Sequence, residues 1–219
     1  MRKLLLLRPE PGLSTSAERA RALGLQVIAC PLFRIEPVTW ETPNPARYDG
    51  LFLTSANAVR HGGPGLGSLG GLSVHAVGEA TAAAARDAGF RVETIGHGGA
   101  AELLGRLPKS IRLLHLAGEH HRDIEDARTD RIIVYRSAEI EDPVLPLLEG
   151  LVVAVHSPRA GRRLAELAGN RSRARIAAIS RAAAEACGSG WERIEAAAEP
   201  NDNSLLALAA SLCHTMGSQ

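Results

Sequence analysis

The sequence predicts an α/β fold: two similar domains, each a five-stranded parallel sheet flanked by helices, joined by a two-stranded β-ribbon hinge. Three observations lead there. Short apolar runs alternate with Ala-, Leu- and Arg-rich helical stretches. Several runs are apolar at every position, as in parallel strands covered on both faces. A set of motifs recurs at one fixed offset, which marks an internal repeat.

Ten candidate strands follow in chain order: Leu4–Leu7, Gln26–Cys30, Leu51–Leu53, Val74–Val77, Arg91–Ile95, Arg112–Leu116, Ile132–Tyr135, Leu151–Val155, Arg175–Ile179 and Arg193–Ala197. They divide five and five. A helix follows almost every strand. Thr15 and Glu18 have capping-box spacing, with Gly24 as a stop. Glu79–Ala88 ends at Gly89, Pro158 stands one residue after the N-cap candidate Ser157, and Asp202 or Asn203 caps a last helix over Ser204–Leu212.

The repeat is specific. Ser55 and Ser157 are 102 residues apart, as are Gly78 and Ser180, Val92 and Ile194, and the pairs Leu103-Leu104 and Leu205-Leu206. Pro31 to Pro37 reads as an extended crossing between the halves, with Val134 to Ser137 as the return. Two crossings give a discontinuous first domain, 1–34 plus 138–219, and a second over 35–137. The residue pattern equally allows a simple division into 1–110 and 111–219.

Composition excludes several classes. The 219 residues are 45% apolar and 22% charged, which is ordinary globular composition. Lys plus Arg number 25 against 24 Asp plus Glu, so the basic excess of a nucleic-acid binder is absent. Lysine occurs only at Lys3 and Lys109. Cys30, Cys187 and Cys213 show no CxxC spacing and read as buried thiols in a reducing compartment, which predicts neither disulfides nor a zinc site. The run Leu4–Leu7 is too short for a secretory signal, and no stretch approaches the roughly 20 apolar residues of a membrane span. A cytoplasmic protein with no membrane and no nucleic-acid partner is expected.

Familiar chemical motifs fail on context. Gly65-Leu66-Gly67-Ser68-Leu69-Gly70 matches GxGxxG but precedes a strand instead of following one, so it reads as a loop. No P-loop and no GxSxG elbow occur. Glu119-His120-His121 lacks metal-ligand spacing and reads as surface. What remains are strand-to-helix turns of small polar residues: Thr54-Ser55-Ala56-Asn57, Gly78-Glu79-Ala80-Thr81, Ser157-Pro158-Arg159 and Ser180-Arg181-Ala182. Free backbone N–H groups point outward at such helix starts, and open α/β sheets bind ligands at this edge. Taken singly, each turn is simple N-capping. Four of them, in two domains facing one another, would make a cleft suited to a molecule carrying many carboxylates, with Arg159 and Arg181 nearby.

These residues also resemble the uroporphyrinogen-III synthase family. The likeness rests on Leu7-Arg8-Pro9-Glu10, on the block Tyr48 to Val59 (YDGLFLTSANAV), on Val77-Gly78-Glu79-Ala80-Thr81-Ala82, on Leu116 to Glu119, on Val134-Tyr135-Arg136 and on Ser157-Pro158-Arg159, in family order over nearly the whole chain. It implies two domains joined by a flexible ribbon. The implied reaction is cofactor- and metal-free conversion of hydroxymethylbilane, a linear tetrapyrrole with eight carboxylates, into uroporphyrinogen III. The last ring is inverted and water is lost, as in a hydro-lyase. It implies substrate contacts at Arg8 and at the four turns, and Tyr135 as proton donor to the departing hydroxyl. It further implies a monomer in transient contact with hydroxymethylbilane synthase.

One departure stands out. The second-half turn of the family often reads Gly then a Thr pair; here it is Ser180-Arg181-Ala182-Ala183. Three other readings stay open at this point. One is a two-domain binding or sensor protein for a small anionic ligand. Another is a nucleotide-sugar transferase, for which no donor-phosphate loop is evident. The last is a homologue without activity that serves as an interaction module.

Overall fold

The computed structural model describes residues 1–120, 124 and 126–214. The chain forms two compact units, residues 1–34 with 139–219 and residues 35–138.

The first unit is a five-stranded sheet in the order β11-β10-β9-β1-β2. Its strands are β1 (Lys3–Leu6), β2 (Val27–Ala29), β9 (Leu151–Val155), β10 (Arg175–Ala178) and β11 (Arg193–Ala196), all parallel. Alternate residues serve two cores. Leu5, Leu7, Val153, Val155 and Ile176 pack with Ala160 and Leu164 of α5 (Pro158–Leu167) and Ala183 of α6 (Arg181–Ala186). Leu4, Leu6, Val152 and Ala154 pack with Leu13 and Ala17 of α1 (Gly12–Ala22) and Leu205 and Leu206 of α7 (Asp202–His214). Burial on both faces explains why these strands are apolar throughout.

The second sheet consists of β4 (Gly50–Leu53), β5 (Ser73–Val77), β6 (Val92–Gly96), β7 (Leu113–Gly118), β8 (Thr129–Glu139) and, at its edge, β3 (Phe33–Pro37), in the order β3-β8-β7-β4-β5-β6. Leu51, Leu53, Val74, Ala76, Leu114 and Leu116 pack under α2 (Ala56–Arg60) and α3 (Glu79–Asp87). Phe52 and Leu113 face the other way, onto Leu103 and Leu104 of α4 (Ala100–Arg106).

The expected five-and-five division is corrected to five and six. The strand read at 132–135 is part of β8, an 11-residue strand. Its early residues pair in parallel with β7. Its later part pairs with β3 in the opposite sense, since Val38 N–H donates to the Val134 carbonyl and Ile140 N–H to that of Leu32. Backbone pairing is continuous from sheet to ribbon, so the crossing segment becomes a sixth strand.

The repeat is structural. Ser55 and Ser157 are both N-caps, as are Gly78 and Ser180. Read from one edge, β6-β5-β4-β7-β8 repeats β11-β10-β9-β1-β2. The strands β7 and β8 that close the second sheet correspond to β1 and β2, which open the chain. The two units are circular permutations of one plan.

Two helix starts differ from the sequence reading. The capping box at Thr15 and Glu18 does not form: α1 begins a turn earlier, at Gly12, and Glu10 caps it by accepting from Ser14 N–H at 3.0 Å and Ser14 Oγ–H at 2.7 Å. α7 begins at Asp202, and the cap is Asn201, whose Oδ1 accepts from Ser204 N–H at 2.8 Å. Asp202 is thereby freed for another role. The glycine-rich stretch is a 3-10 turn over Pro64–Leu69. Trp40 pins it, donating from Nε1 to the Gly62 carbonyl at 2.7 Å, and a Cβ on Gly65 would meet the Trp40 ring at 2.8 Å. All three cysteines are buried free thiols. Among the described residues no helix is long and apolar enough to cross a membrane.

Candidate functional site

In an open parallel sheet, ligands bind beyond the carboxyl ends of the strands where the strand order reverses. In the first unit that point lies between β1 and β9; in the second it lies between β4 and β7. The sequence-derived residues collect on these rims, unit by unit.

In the second unit the register pairs Leu53 with Ala76 and with Leu116, so Thr54 and Gly78, which follow β4 and β5, and Gly118, which ends β7, lie on one edge. Ser55 caps α2, its Oγ accepting from Asn57 N–H at 3.2 Å. Thr54 Oγ1 lies 3.3 Å from Nε2 of the buried His115. Gly78 has φ +83° and leaves α3 without a side-chain cap, so the amides of Glu79, Ala80 and Thr81 keep their outward polarity. Ala56 and Thr81 themselves are buried. Their rim contribution is backbone only.

Tyr135 reaches this rim through an irregularity. Ala117 pairs with Ile133, but Gly118 pairs with Tyr135, so Val134 is an extra residue in the ladder. A bulge of this kind re-aims the side chain that follows. The Tyr135 ring then lies over Gly118, with the His61 ring centroid 6.5 Å away. Its hydroxyl makes no hydrogen bond among the described residues. Burial, reinforced by the charge of Arg60, lowers the His61 pKa and keeps that imidazole neutral near pH 7.

In the first unit Leu6 pairs with Ala154, and Val155 with Ala178, which brings Arg8, Ser157 and Ser180 onto one edge. Ser157 Oγ accepts from Ala160 N–H at 3.1 Å behind Pro158, and Ser180 Oγ accepts from Ala183 N–H at 3.3 Å. Ser180 thus consumes an amide that the equivalent Gly78 turn leaves open. α2 and α6 span only five and six residues, so their dipoles are small beside those of α3 and α5. Arg159 lies 4.5 Å over the Phe33 ring and 3.5 Å from Glu139, which ties it to the base of the ribbon. Arg181 and Ala182 are exposed.

The densest polar cluster was not read from the sequence. Asp202 Oδ1 accepts from Ser16 Oγ at 2.8 Å and from Arg8 Nη1 at 3.2 Å, and lies 3.0 Å from His156 Nε2. Its Oδ2 accepts from Arg19 at 3.2 Å. Burial alone would raise this carboxyl, but the bonds from His156 and Ser16, with the charge of Arg8, take it far below the usual carboxylate range. Burial lowers His156, so the ring is neutral and Nε2–H donates to Asp202. His156 directly precedes the Ser157 turn, but Asp202 is 194 residues from Arg8, and an aspartate at that position reads equally as a helix cap.

A family model described as uroporphyrinogen-III synthase HemD matches residues 14–207. The chain belongs to the uroporphyrinogen-III synthase family. Among solved structures, the uroporphyrinogen-III synthetase of Helicobacter pylori 26695 superposes with a TM-score of 0.68 at 18% identity, covering 97% of this chain and 100% of that one. A mutant uroporphyrinogen III synthase from the extremely thermophilic bacterium Thermus thermophilus gives a TM-score of 0.48 at 19% identity, covering 96% and 98%. The Helicobacter likeness establishes a shared fold. No curated protein sequence matches the chain. The rims described above are where this member of the uroporphyrinogen-III synthase family carries its polar turns.

Proposed function

We propose that the chain is a uroporphyrinogen-III synthase, a hydro-lyase that closes hydroxymethylbilane into uroporphyrinogen III with inversion of the terminal pyrrole. The observation that carries this reading is the family match over residues 14–207. The geometry supports it, because the reaction asks mainly for conformational control. The substrate ring-closes unaided without inversion, so the protein must bring the disfavoured carbon to the cation.

Tyr135 Oη–H protonates the departing hydroxyl. The C–O bond breaks, water leaves, and an azafulvene cation remains. The substituted α-carbon of the last ring attacks the cation to form a spiro intermediate. Fragmentation and reclosure at the other α-position invert that ring, and the proton lost on rearomatisation restores the donor. The open amides of the α3 turn, the capped turns of α2, α5 and α6, and the guanidiniums of Arg8 and Arg181 hold substrate carboxylates. Each amide terminus contributes about 0.3–1 kcal/mol, so the clamp works by number. Buried free thiols suit a reducing cytoplasm. The enzyme acts there as a monomer and receives its unstable substrate by transient contact with hydroxymethylbilane synthase.

The test is an assay with freshly made hydroxymethylbilane and chromatographic separation of the isomers. Ring-inverted product is expected in excess of the spontaneous isomer. Uninverted isomer alone, at the spontaneous rate, refutes the reading.

A further inference from the structure

Arg8 leaves β1 at the reversal point of the first sheet, and its guanidinium is fixed from two sides. On one side Nη1 donates to Ser16 Oγ at 2.9 Å and to Asp202 Oδ1 at 3.2 Å. On the other it lies against the backbone of Gly12, the first residue of α1. A Cβ at Gly12 would come within 2.5 Å of Nε and Nη2 and 2.6 Å of Cζ. Nε–H and Nη2–H donate to nothing among the described residues, and the side chain keeps 30% exposure. Those two donors form the edge of a guanidinium that takes a carboxylate through parallel hydrogen bonds. Arg8 and Arg19 against the single Asp202 carboxylate, with His156 neutral, leave the cluster with one excess positive charge.

We infer that Gly12 and Asp202 are positioning residues that hold Arg8 as a preset fork for one substrate carboxylate. Asp202 orients the guanidinium and cannot itself be displaced by the substrate, being tied by Ser16, His156 and Arg19. Gly12 supplies the space in which the fork lies. This rests on the tetrapyrrole reading above and adds to it the residues that set one carboxylate position. A purely structural role for the cluster predicts something else, because then only the Asp202 bonds matter and the space at Gly12 is incidental.

Gly12→Ala separates the two. The three atoms nearest the added methyl all belong to the far end of the flexible Arg8 side chain, so the fold survives while the guanidinium is pushed out. The expected result is a KM for hydroxymethylbilane raised about tenfold with kcat within twofold, an unchanged or higher Tm, and a similar loss of affinity for uroporphyrin III, a stable octacarboxylate, in fluorescence titration. Arg8→Lys, which keeps the charge without the fork, should match it, and Asp202→Asn should add a fall in Tm. Wild-type KM and uroporphyrin affinity in Gly12→Ala, or in Arg8→Lys, overturn the inference while an active parent protein keeps the functional reading. A parent protein that forms no inverted product removes both.

Discussion

The ring of Tyr135 fills the space that a side chain on Gly118 would need. A Cβ there would lie 2.5 Å from Cζ and 2.8 Å from the hydroxyl oxygen. The bulge at Val134 creates this pairing, for without it Gly118 would face Val134. One inserted residue thus delivers the phenol to the rim of β7.

Gly118→Ala should therefore push the ring aside. Kcat is expected to fall tenfold or more at nearly constant KM, with a stability loss of about 1–3 kcal/mol from overpacking. Steady-state kinetics and urea unfolding read the two effects separately. Unchanged turnover would mean that the ring's position is irrelevant to the reaction.

Tyr135→Phe keeps the ring and removes only the proton. Turnover is expected to drop by roughly 10²-fold, the lower end for a positioned proton donor, without vanishing, because the substrate ionises unaided. The product should remain largely inverted, since the carboxylate clamp is intact. Wild-type turnover in this variant would remove the proton-donor role.

Acid stability should decline in two steps. Burial lowers the pKa of His75 and His156 from the ordinary 6.5. Below pH 6.5 the unfolded chain binds protons that the folded chain refuses, so stability falls as pH drops toward the folded values. Asp126, lowered to about 2 by its bonds and charge pairing with Arg128 against the opposing effect of burial, and Asp202, lowered further, give the second step. Their contribution is complete above pH 3.8 and is lost as pH falls through the folded values. Urea midpoints from pH 8 to 3 should show the whole upper step and the onset of the lower one. His75→Leu, which removes a buried Nδ1 with no partner among the described residues, should flatten the upper one. A midpoint independent of pH between 7 and 5 contradicts this.

Ser157→Ala removes the acceptor for Ala160 N–H and should cost about 1 kcal/mol, with Ser157→Gly costing only a few tenths. The shift in urea midpoint at constant m-value is the measurement. An unchanged midpoint in Ser157→Ala would show that the cap bond is not what matters at this position.

What the sequence determined by itself is the set of features carried by neighbouring residues. Strands such as Leu151–Val155 are legible because burial on both faces leaves no room for a polar residue. Helix starts such as Ser157-Pro158 are legible because a cap works within one turn. The repeat at 102 residues is legible because each unit needs the same turns at the same strand ends. Tertiary structure decided what depends on distant partners. The Asp202 carboxylate meets Arg8, Ser16 and His156 only after α7 packs beside α1 and β9. The sixth strand exists because β8 runs on past its sheet to pair with β3, and the bulge opposite Gly118 sets where Tyr135 points. Local chemistry is written along the chain. Which side chains meet is fixed by packing, because strand register and helix docking bring together residues whose separation in sequence carries no signal.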